Sequence, residues 1–264
     1  MSATARDITV SVSIVTYKTA HLLPACVTRV VQHVPHLTRI IIVNHSPEEE
    51  IVLEPMPVPI TIHTQDNRGF GAGHNRAIEE LPHHLGAHHI HLILNPDVLL
   101  TEDLSPLLRH FDAPDVAAVG AQLIDSTHRN DIFCTGAAPT LWRTLVHKVA
   151  PPSLPQTATD VDWVSGAALL VRLADFQAVG GFDERYFLYF EDTDLCTRLR
   201  TQCGKRIIFD PSVHIVHDSG QSFESVTAQK RHYDASQDRY FTTHYTRPHA
   251  TAQRVLRHIW RKLT

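Results

Sequence analysis

Three carboxylates lie close together after an aromatic segment in the second half of the chain. Residues 186–190 read Tyr-Phe-Leu-Tyr-Phe, and Glu191, Asp192 and Asp194 follow within four positions. Because aromatic side chains favour burial, Asp192 is expected at the edge of a partly dry cleft, where it could take a proton from a hydroxyl group. The alternative is that Asp192 and Asp194 only cap a helix and interact favourably with its dipole. This segment alone leaves both interpretations open.

The residues after Asp192 predict a helix. Four apolar residues have the spacing of one helical face: Leu195, Cys196, Leu199 and Cys203. Gly204 is expected to end this helix, and Asp192 is expected near its N-cap position.

Two polar residues that follow predicted strands are candidates for holding a cation. Asp97 follows an apolar strand in the sequence Asn95-Pro96-Asp97, where a carboxylate suits a hard cation bound to a diphosphate. The same tripeptide is also favourable turn chemistry. His217 ends another apolar strand, which is more often a structural position, and it becomes a metal-ligand candidate only if the fold brings it to Asp97.

A glycine-rich segment at 69–73, Gly-Phe-Gly-Ala-Gly, is a candidate phosphate-binding turn. A second interpretation, compatible with the first, is a tight turn that allows a helix and a strand to pack closely. NAD binding is not expected, because Arg76 occupies the third glycine position of the dinucleotide motif. The segment also follows the third predicted strand, whereas that motif follows the first.

Twenty histidines are an unusual number, and five of them are clustered: His83, His84, His88, His89 and His91. No HExxH spacing or cysteine partner accompanies the cluster, so zinc binding is not expected. The region is predicted to be a helix end and a loop with solvated histidines.

The composition is that of a globular protein of 264 residues, with one large domain and at most a small appendage. A net charge of -4 provides no basic field for nucleic acid. The four cysteines form no CxxC pair and are expected to be core thiols in a reducing compartment. The first residues do not read as a signal peptide, and no apolar run approaches the ~18 residues of a membrane span. A cytoplasmic location is expected, and a peripheral position on a membrane stays open.

Apolar strands alternate with helical segments through much of the chain. Strands are predicted at 8–15, 39–43, 60–63, 90–94, 116–122, 161–172, 206–209 and 213–217. The alternation predicts an α/β fold with a mostly parallel sheet covered by helices on both faces. Ligands of such sheets bind at the carboxyl ends of strands, which here run into polar residues: Thr16, Tyr17, Asn44, Asp66, Asn67 and Asp97. The less regular stretch 123–160 is interpreted as an excursion, not as a second domain.

The last segment, 221–264, is polar at first and then basic. Arg254, Arg257, Arg261 and Lys262 interleave with apolar residues there. The segment is interpreted either as a helix docked on the domain or as an amphipathic surface that meets anionic lipid headgroups, with Trp260 at the interface.

In their order along the chain, these motifs resemble those of inverting family-2 glycosyltransferases of the GT-A fold, over about residues 8–220. The resemblance is carried by Thr16-Tyr17, by the motifs at 67–75, 95–97, 163–167, 180–183 and 190–196, and by His217. It implies a catalytic domain at 1–220 with a Rossmann-like sheet and a basic helical extension at 221–264. Residues 161–200 most resemble bacterial rhamnosyltransferases of O-antigen and related polysaccharide assembly.

The resemblance also implies a role for each candidate residue. Asp192 would be the catalytic base that deprotonates the acceptor hydroxyl, with Glu191 beside it, and Asp97 and His217 would hold Mg²⁺ or Mn²⁺ on the donor diphosphate. The nucleotide-sugar would be bound by Thr16, Tyr17, Asn44, Asp66, Asn67, Gly71, Asn95 and Asp97. The acceptor side would be shaped by Glu191, Trp163, Gly166 and Tyr189.

Two positions depart from the family pattern. Asn95 replaces the first aspartate of the DxD motif, and Asn44 stands where an aspartate usually follows the second strand. The implied donor is dTDP-L-rhamnose, and the implied acceptor is a polyprenyl-diphosphate-linked sugar at the cytoplasmic face of the inner membrane. The alternatives are a UDP-sugar transferase with the same fold and a non-catalytic nucleotide-sugar-binding or scaffold subunit, although intact Asp97, Asp192 and His217 favour an enzyme. A nucleotidyltransferase is not expected, because its basic glycine-rich motif near the first strand is absent.

Overall fold

The structure is a computed structural model that describes residues 8–82, 85–86, 88–146, 153–217 and 226–263. Within these ranges, no helix combines the length and the apolar character needed to cross a membrane. The predictions for His83 and His84 lie outside the described residues, and so do those for the side chains of Trp260, Arg261 and Lys262 in the candidate lipid-binding surface.

The described residues form strands β1 to β11 and helices α1 to α8. The strands are β1 (Thr9–Thr16), β2 (Leu37–Asn44), β3 (Ile60–Thr64), β4 (His89–Leu94), β5 (Val98–Leu100), β6 (Val116–Ile124), β7 (Thr135–Gly136), β8 (Thr159–Val161), β9 (Trp163–Val164), β10 (Ala168–Arg172) and β11 (Arg206–His217). The helices are α1 (Leu23–His33), α2 (Phe70–Glu79), α3 (Ser105–Leu108), α4 (Leu141–Val146), α5 (Leu173–Ala178), α6 (Glu191–Cys203), α7 (Val226–His244) and α8 (Arg247–Leu263). Two short 3₁₀ helices are present at Ala20–Leu22 and Arg109–Asp112.

A nine-stranded sheet forms the centre of the molecule, in the order β3-β2-β1-β4-β10-β6-β11-β5, with β8 added on β11. The first four strands of this order are parallel, and β6 is parallel to β11. The predicted α/β fold with a mostly parallel sheet is therefore confirmed. β10 lies antiparallel between β4 and β6, which the sequence pattern did not predict.

The core is built from continuous apolar strands and one face of each covering helix. β4 is buried at every position and β1 at all but its first, as expected of parallel strands covered on both sides. Three cysteines, Cys26, Cys134 and Cys196, are buried in this core, and Cys203 is partly buried. All four are free thiols, as predicted.

The segment 161–172 is predicted as one strand that bends at its small residues. The structure corrects its continuity, because it divides the segment into β8, β9 and β10, with Gly166 and Ala167 in the gap between β9 and β10. β8 pairs with β11, whereas β9 pairs with β7 in a small second sheet. Between β9 and β10, a Cβ atom added at Gly166 would lie 3.2 Å from the Phe70 ring and 3.4 Å from Cβ of Asp192. The Gly166 amide donates to the Asp192 carboxylate. The backbone is therefore not in a strand at Gly166, where it packs against the first turn of α6.

Helix α6 begins earlier than predicted. Phe190, not Asp192, is its N-cap residue, so Asp192 lies inside the first turn. The predicted apolar face is present, with Leu195, Cys196 and Leu199 buried. Gly204 ends the helix in the left-handed conformation, with a φ of 63°.

The glycine-rich segment is mostly helical, which corrects the prediction of a turn over 69–73. α2 begins at Phe70, and Gly69 before it has a φ of 103° that favours glycine. A Cβ atom would lie 2.7 Å from Cβ of Phe182 if added at Gly71, and 2.7 Å from Cγ2 of Val15 if added at Gly73. These glycines let α2 pack closely on β1 and on the turn at 180–183.

The predicted helix end with solvated histidines is wrong for His89 and His91. β4 begins at His89, and both side chains are buried. Alternate residues of a strand share one face of the sheet, so both rings lie on the face that carries Ser11 of β1, whose Oγ lies 2.7 Å from His89 Nε2 and 2.7 Å from His91 Nδ1. Burial is possible because strand hydroxyls satisfy the ring nitrogens.

The two C-terminal helices pack on each other and on the domain. Arg257 Nη2 lies 2.7 Å from Asp238 Oδ1, and Arg254 Nε lies 3.3 Å from Asp238 Oδ2. Apolar residues of the two helices join aromatic residues of the segment before α6 in one cluster: Tyr186, Phe190, Tyr240, Phe241 and Ala250. Arg254 and Arg257, which were considered for lipid contact, thus help to dock α8 on α7.

Candidate active site

Asp97 and His217 lie side by side at the carboxyl edge of the sheet. β5 and β11 pair Val98 with His217, which brings the preceding Asp97 next to the imidazole. Asp97 Oδ1 lies 3.4 Å from His217 Nε2, and both side chains are about nine-tenths buried, with exposures of 6% and 10%. Asn95 Nδ2 lies 3.4 Å from the same nitrogen. The structure therefore meets the condition under which His217 was a metal-ligand candidate.

This pair suits a divalent cation. Asp97 Oδ1 is buried and has no hydrogen-bond partner of good geometry among the described residues, so the site has an unused ligand atom beside His217 Nε2. The described part of the chain contains no group of three or more histidine, cysteine or acidic side chains that could enclose an ion. A cation held by two side chains would take its other ligands from substrate phosphates and water, as Mg²⁺ commonly does.

Asp192 is fixed by three donors at the start of α6. Its Oδ2 accepts from the Gly166 amide at 2.9 Å, and its Oδ1 accepts from the Thr193 amide at 2.6 Å and the Thr193 hydroxyl at 3.2 Å. The side chain is still half-buried. A substrate hydroxyl can therefore reach a carboxylate whose orientation is already set.

One short segment connects Asp192 to the cation pair. The Gly166 amide donates to Asp192, and the next residue, Ala167, accepts a 2.9 Å hydrogen bond from the Asn95 amide. Asn95 in turn lies beside His217. The candidate base and the candidate metal ligands thus line the same edge of the sheet, on either side of residues 166 and 167.

Burial affects the two neighbouring carboxyl groups differently. Burial raises the pKa of Asp192, but its three hydrogen bonds favour the ionised form. Burial and the nearby Asp192 charge raise the pKa of Glu191 well above its ordinary value. Glu191 Oε2 has no hydrogen-bond partner in the described ranges. Glu191 is therefore the more readily protonated of the two, and Asp192 is the candidate for a base.

Asp194 has a structural role. It is 1% exposed, and Oδ2 lies 2.7 Å from Nε of Arg198, while Oδ1 lies 2.7 Å from Nε2 of His244 on α7. Arg198 also donates to the Val179 carbonyl. The third carboxylate therefore ties α6 to its neighbours.

The predicted nucleotide-binding residues line the carboxyl ends of β1 to β3, where Thr16 pairs with Asn44 and Asn44 with Thr64. The Thr16 hydroxyl lies 2.9 Å from the Thr19 hydroxyl. Asn44 accepts from the Ser46 amide and donates to the Glu49 carbonyl, so its amide group shapes the following loop. Tyr17 is half-buried, with Lys18 Nζ 5.2 Å from its ring centroid.

The other predicted ligand-binding residues occupy distinct positions. Asp66 is exposed, and Asn67 accepts from the Gly69 amide at 3.0 Å. Gly71 is buried against Phe182, where a side chain would clash with that residue, as the packing interpretation of this glycine predicts. On the proposed acceptor side, Trp163 is half-buried next to Gly136. Tyr189 is also half-buried, and its hydroxyl accepts from Gln229 Nε2 at 2.8 Å.

Residues that sequence reasoning did not single out support the site. Asn75 on α2 makes two 2.9 Å hydrogen bonds to the backbone of Phe182, accepting from its amide and donating to its carbonyl. The Phe70 amide donates to the Phe187 carbonyl. Asn75 closes the motif at 67–75, so its place in that motif was the available signal.

A buried chain of hydroxyl and imidazole groups runs between β1, β4 and α2. The order is Thr9, His89, Ser11, His91, Ser13 and His74, with adjacent polar atoms 2.6–2.8 Å apart. The signal for it was the period-two spacing of Thr9, Ser11 and Ser13 opposite His89 and His91. His74 ends the chain with its ring centroid 4.4 Å from that of Phe70, which also borders Gly166.

The family model for glycosyltransferase like family 2 matches residues 7–234. Rhamnosyltransferase WbbL of Escherichia coli is 49% identical over 59 residues, which are 22% of this chain and 22% of that protein. The N-acetylglucosaminyl-diphospho-decaprenol L-rhamnosyltransferase of Mycobacterium tuberculosis is 48% identical over 62 residues, which are 24% of this chain and 20% of that protein. The chain thus aligns with about a fifth of the length of these curated relatives.

Solved structures show the same architecture at low sequence identity. The mannosyltransferase PcManGT of Pyrobaculum calidifontis, in complex with GDP-Man and Mn²⁺, has a TM-score of 0.59 at 14% identity, covering 92% of this chain and 68% of that one. GalNAc-T7 with UDP, GalNAc and Mn²⁺ has a TM-score of 0.56 at 13% identity, covering 80% and 44%. These likenesses concern the fold alone and confirm the predicted GT-A architecture. Because the matched family model includes both the sheet edge and helix α6, the chain belongs to glycosyltransferase family 2.

Proposed function

We propose that this chain is an inverting transferase that moves L-rhamnose from dTDP-L-rhamnose onto a lipid-linked saccharide in cell-surface polysaccharide synthesis. The observation that carries the reaction type is the connection, through Gly166 and Ala167, between Asp192 and the pair of Asp97 and His217. The sugar and the acceptor class rest on the names of the two rhamnosyltransferase relatives.

In the proposed reaction, an acceptor hydroxyl oxygen attacks the anomeric carbon of the donor from the face opposite the diphosphate. A new C–O bond forms while the C–O bond to the diphosphate breaks, and the nucleoside diphosphate leaves with the electron pair. The hydroxyl proton moves to the Asp192 carboxylate. A pKa raised by burial increases the proton affinity of Asp192 and so suits it to this step.

Asp97 and His217 would hold Mg²⁺ or Mn²⁺, which neutralises charge that develops on the leaving diphosphate. The buried, unpartnered Asp97 Oδ1 beside His217 Nε2 supports this role in the described structure. The polar residues that end β1 to β3 would bind the nucleoside, next to the cation pair along the same edge.

A nucleotide-binding measurement tests the proposal. Thermal unfolding would be followed with dTDP, UDP, GDP and CDP, each with and without Mn²⁺. We expect dTDP with Mn²⁺ to give the largest stabilisation, about 2.7 kcal/mol at a hundredfold excess over Kd. Asp97→Asn should remove the Mn²⁺ dependence, whereas Glu54→Gln, an exposed acid in the loop before β3, should behave as wild type.

The possible outcomes separate the alternatives. A preference for UDP would keep the fold and the mechanism and overturn the sugar. Stabilisation by no nucleotide would contradict the transferase proposal and the nucleotide-sugar-binding alternative alike, and would favour a scaffold subunit. If dTDP is preferred, turnover of dTDP-L-rhamnose with a polyprenyl-diphosphate-linked acceptor is the next expected result.

We also propose that the face formed by α4 and α8 lies against an anionic membrane surface. α4 packs beside α8, and the two helices expose apolar and basic side chains: Trp142 is 73% and Val255 51% exposed, and the Arg143 and Arg254 side chains are 44% and 52% exposed. We expect the protein to sediment with phosphatidylglycerol vesicles and not with phosphatidylcholine vesicles, and added salt should weaken binding. Trp142→Ala should reduce the bound fraction several-fold. Phe133→Ala, which removes another exposed aromatic residue, is the matched control, and equal losses in both variants would contradict the proposed face.

A further inference from the structure

The backbone directly before Asp192 is held in an unfavourable conformation. Tyr189 and Phe190 have φ values of 69° and 64°, in the left-handed region that bulky residues rarely adopt. Phe190 is the N-cap residue of α6, and its side chain makes no capping hydrogen bond. Such a conformation persists where surrounding structure determines it, and it clusters at functional sites.

One face of α7 supplies that surrounding structure. Ser236 Oγ donates to the Leu188 carbonyl at 2.7 Å, immediately before the two left-handed residues. The Tyr233 ring lies 5.7 Å from that of Tyr189 and 5.3 Å from that of Phe190. Further contacts with residues 186–197 come from the same face: Gln229, His232, Tyr240 and His244. The spacing of these residues by three, four or multiples of a turn places them on one side of the helix.

The opposite side of the strained segment is held by α2. The Phe187 carbonyl accepts from the Phe70 amide at 2.9 Å, and Gly69 leaves no room for a Cβ atom, which would lie 2.5 Å from that carbonyl oxygen. Residues 187–190 are therefore held between α2 and α7 by hydrogen bonds to the Phe187 and Leu188 carbonyls and by the ring contacts of Tyr233. The hydrogen bond between Asp192 and Gly166 depends on where this segment places the first turn of α6.

We propose that α7 is a positioning element for the catalytic base, with Ser236 as its central positioning residue. By holding the Leu188 carbonyl, Ser236 maintains the left-handed Tyr189–Phe190 backbone and thereby the position of Asp192 against Gly166. Tyr233 and Tyr240, on either side of Ser236 along α7, pack against the Phe190 ring. The hydrogen bond from Ser236 to the Leu188 carbonyl fixes the distance between residues 188–190 and α7. The inference rests on the proposed function, because it assigns Asp192 the role of base.

The test compares Ser236→Ala with Thr242→Ala. Ser236 is 4% exposed, whereas Thr242 is an exposed hydroxyl residue on the same helix that bonds only to α7 carbonyls among the described contacts. We expect Ser236→Ala to lower kcat by about tenfold to a hundredfold, the scale of a small misplacement of a reacting group. The KM for the nucleotide-sugar should stay unchanged, since the contacts of α7 described above go to residues 187–197 and to α8 and not to the residues assigned to the nucleotide. Thr242→Ala should match wild type.

A second readout does not depend on activity. Amide hydrogen exchange over residues 187–194 should be faster in Ser236→Ala than in wild type and Thr242→Ala, with the central strands unchanged. Wild-type kcat and exchange in Ser236→Ala would overturn the inference while leaving the transferase proposal intact. A wild-type protein without any transferase activity would instead contradict the proposed function, and the exchange result would still decide whether Ser236 holds this segment.

Discussion

Replacing Asp192 with asparagine is expected to lower turnover by about 10²- to 10⁴-fold, the usual contribution of a positioned general base. An asparagine oxygen can still accept from the Gly166 amide, so the turn at 166 should be retained, while the side-chain NH₂ group would then face the Thr193 amide and lose that one hydrogen bond. The amide cannot accept the acceptor hydroxyl proton. Donor binding should be unchanged, because the residues assigned to the nucleotide and cation lie on the other side of residues 166 and 167. Steady-state kinetics and donor titration of the same preparation measure both quantities.

Glu191→Gln is the matched control, since it makes the same chemical change at the neighbouring residue. If Glu191 carries its proton, as its burial and unpartnered oxygen in the described structure indicate, a neutral amide resembles the native group. Glu191→Gln should therefore lower turnover clearly less than Asp192→Asn does. Equal turnover in Asp192→Asn and wild type would refute the assignment of the base, and a larger loss in Glu191→Gln would exchange the two roles.

The sheet strands were predictable where burial is uniform. β1, β2 and β4 are apolar runs that end in polar residues, and the predicted bounds agree with the structure to within two residues. The same pattern indicated that Thr16, Asn44 and Asp97 lie at the carboxyl edge. That Asp97 meets His217 could only be stated as a condition, because it depends on the antiparallel pairing of β5 with β11, far apart in the sequence.

The errors occurred where distant residues decide the local conformation. Asp192 was expected at the N-cap because aspartate favours it, but the left-handed Phe190 takes that place, with support from Tyr233 and Tyr240 on α7. The strand over 161–172 is interrupted because the Gly166 amide bonds to Asp192 instead of a neighbouring strand. Local sequence preferences take no account of either contact, because the partners are far apart along the chain. Both errors lie at the candidate active site, where such distant contacts set the backbone.

The histidines of the buried chain are expected to make the protein sensitive to mild acid. Burial lowers the pKa of His89 to about 4 and that of His91 to about 3, and it lowers the pKa of His74 well below its ordinary value. A neutral imidazole has one donor and one acceptor nitrogen, which matches the alternation with hydroxyl groups in this chain. A protonated ring would present two donors and carry a charge into the core.

The sign follows from proton binding. The unfolded chain, with histidine pKa values near about 6.5, binds more protons than the folded chain between that pH and about 4. The stability from neutral histidines is therefore fully present above about pH 6.5 and is lost as the pH falls, by about 2 kcal/mol per histidine at about pH 5. Glu191 and Asp192, whose pKa values are raised, act in the opposite direction. Asp183, whose pKa is lowered, loses its contribution only below about pH 4.

Urea unfolding between about pH 7.5 and about pH 5 measures this loss, and a histidine variant isolates it. His91→Gln removes one titrating ring, so its free energy of unfolding should fall less steeply with acid, with a difference that approaches about 2 kcal/mol at about pH 5. His21→Gln, at an exposed position, should have the wild-type slope. His91→Gln is expected to be less stable than wild type at neutral pH, because Ser11 and Ser13 lose well-placed partners, so the slope and not the absolute stability carries the test. Parallel curves for wild type and His91→Gln would mean that the His91 ring takes up no proton on unfolding in this pH range. That result would refute the prediction that the buried histidines are neutral in the folded protein and become protonated on unfolding.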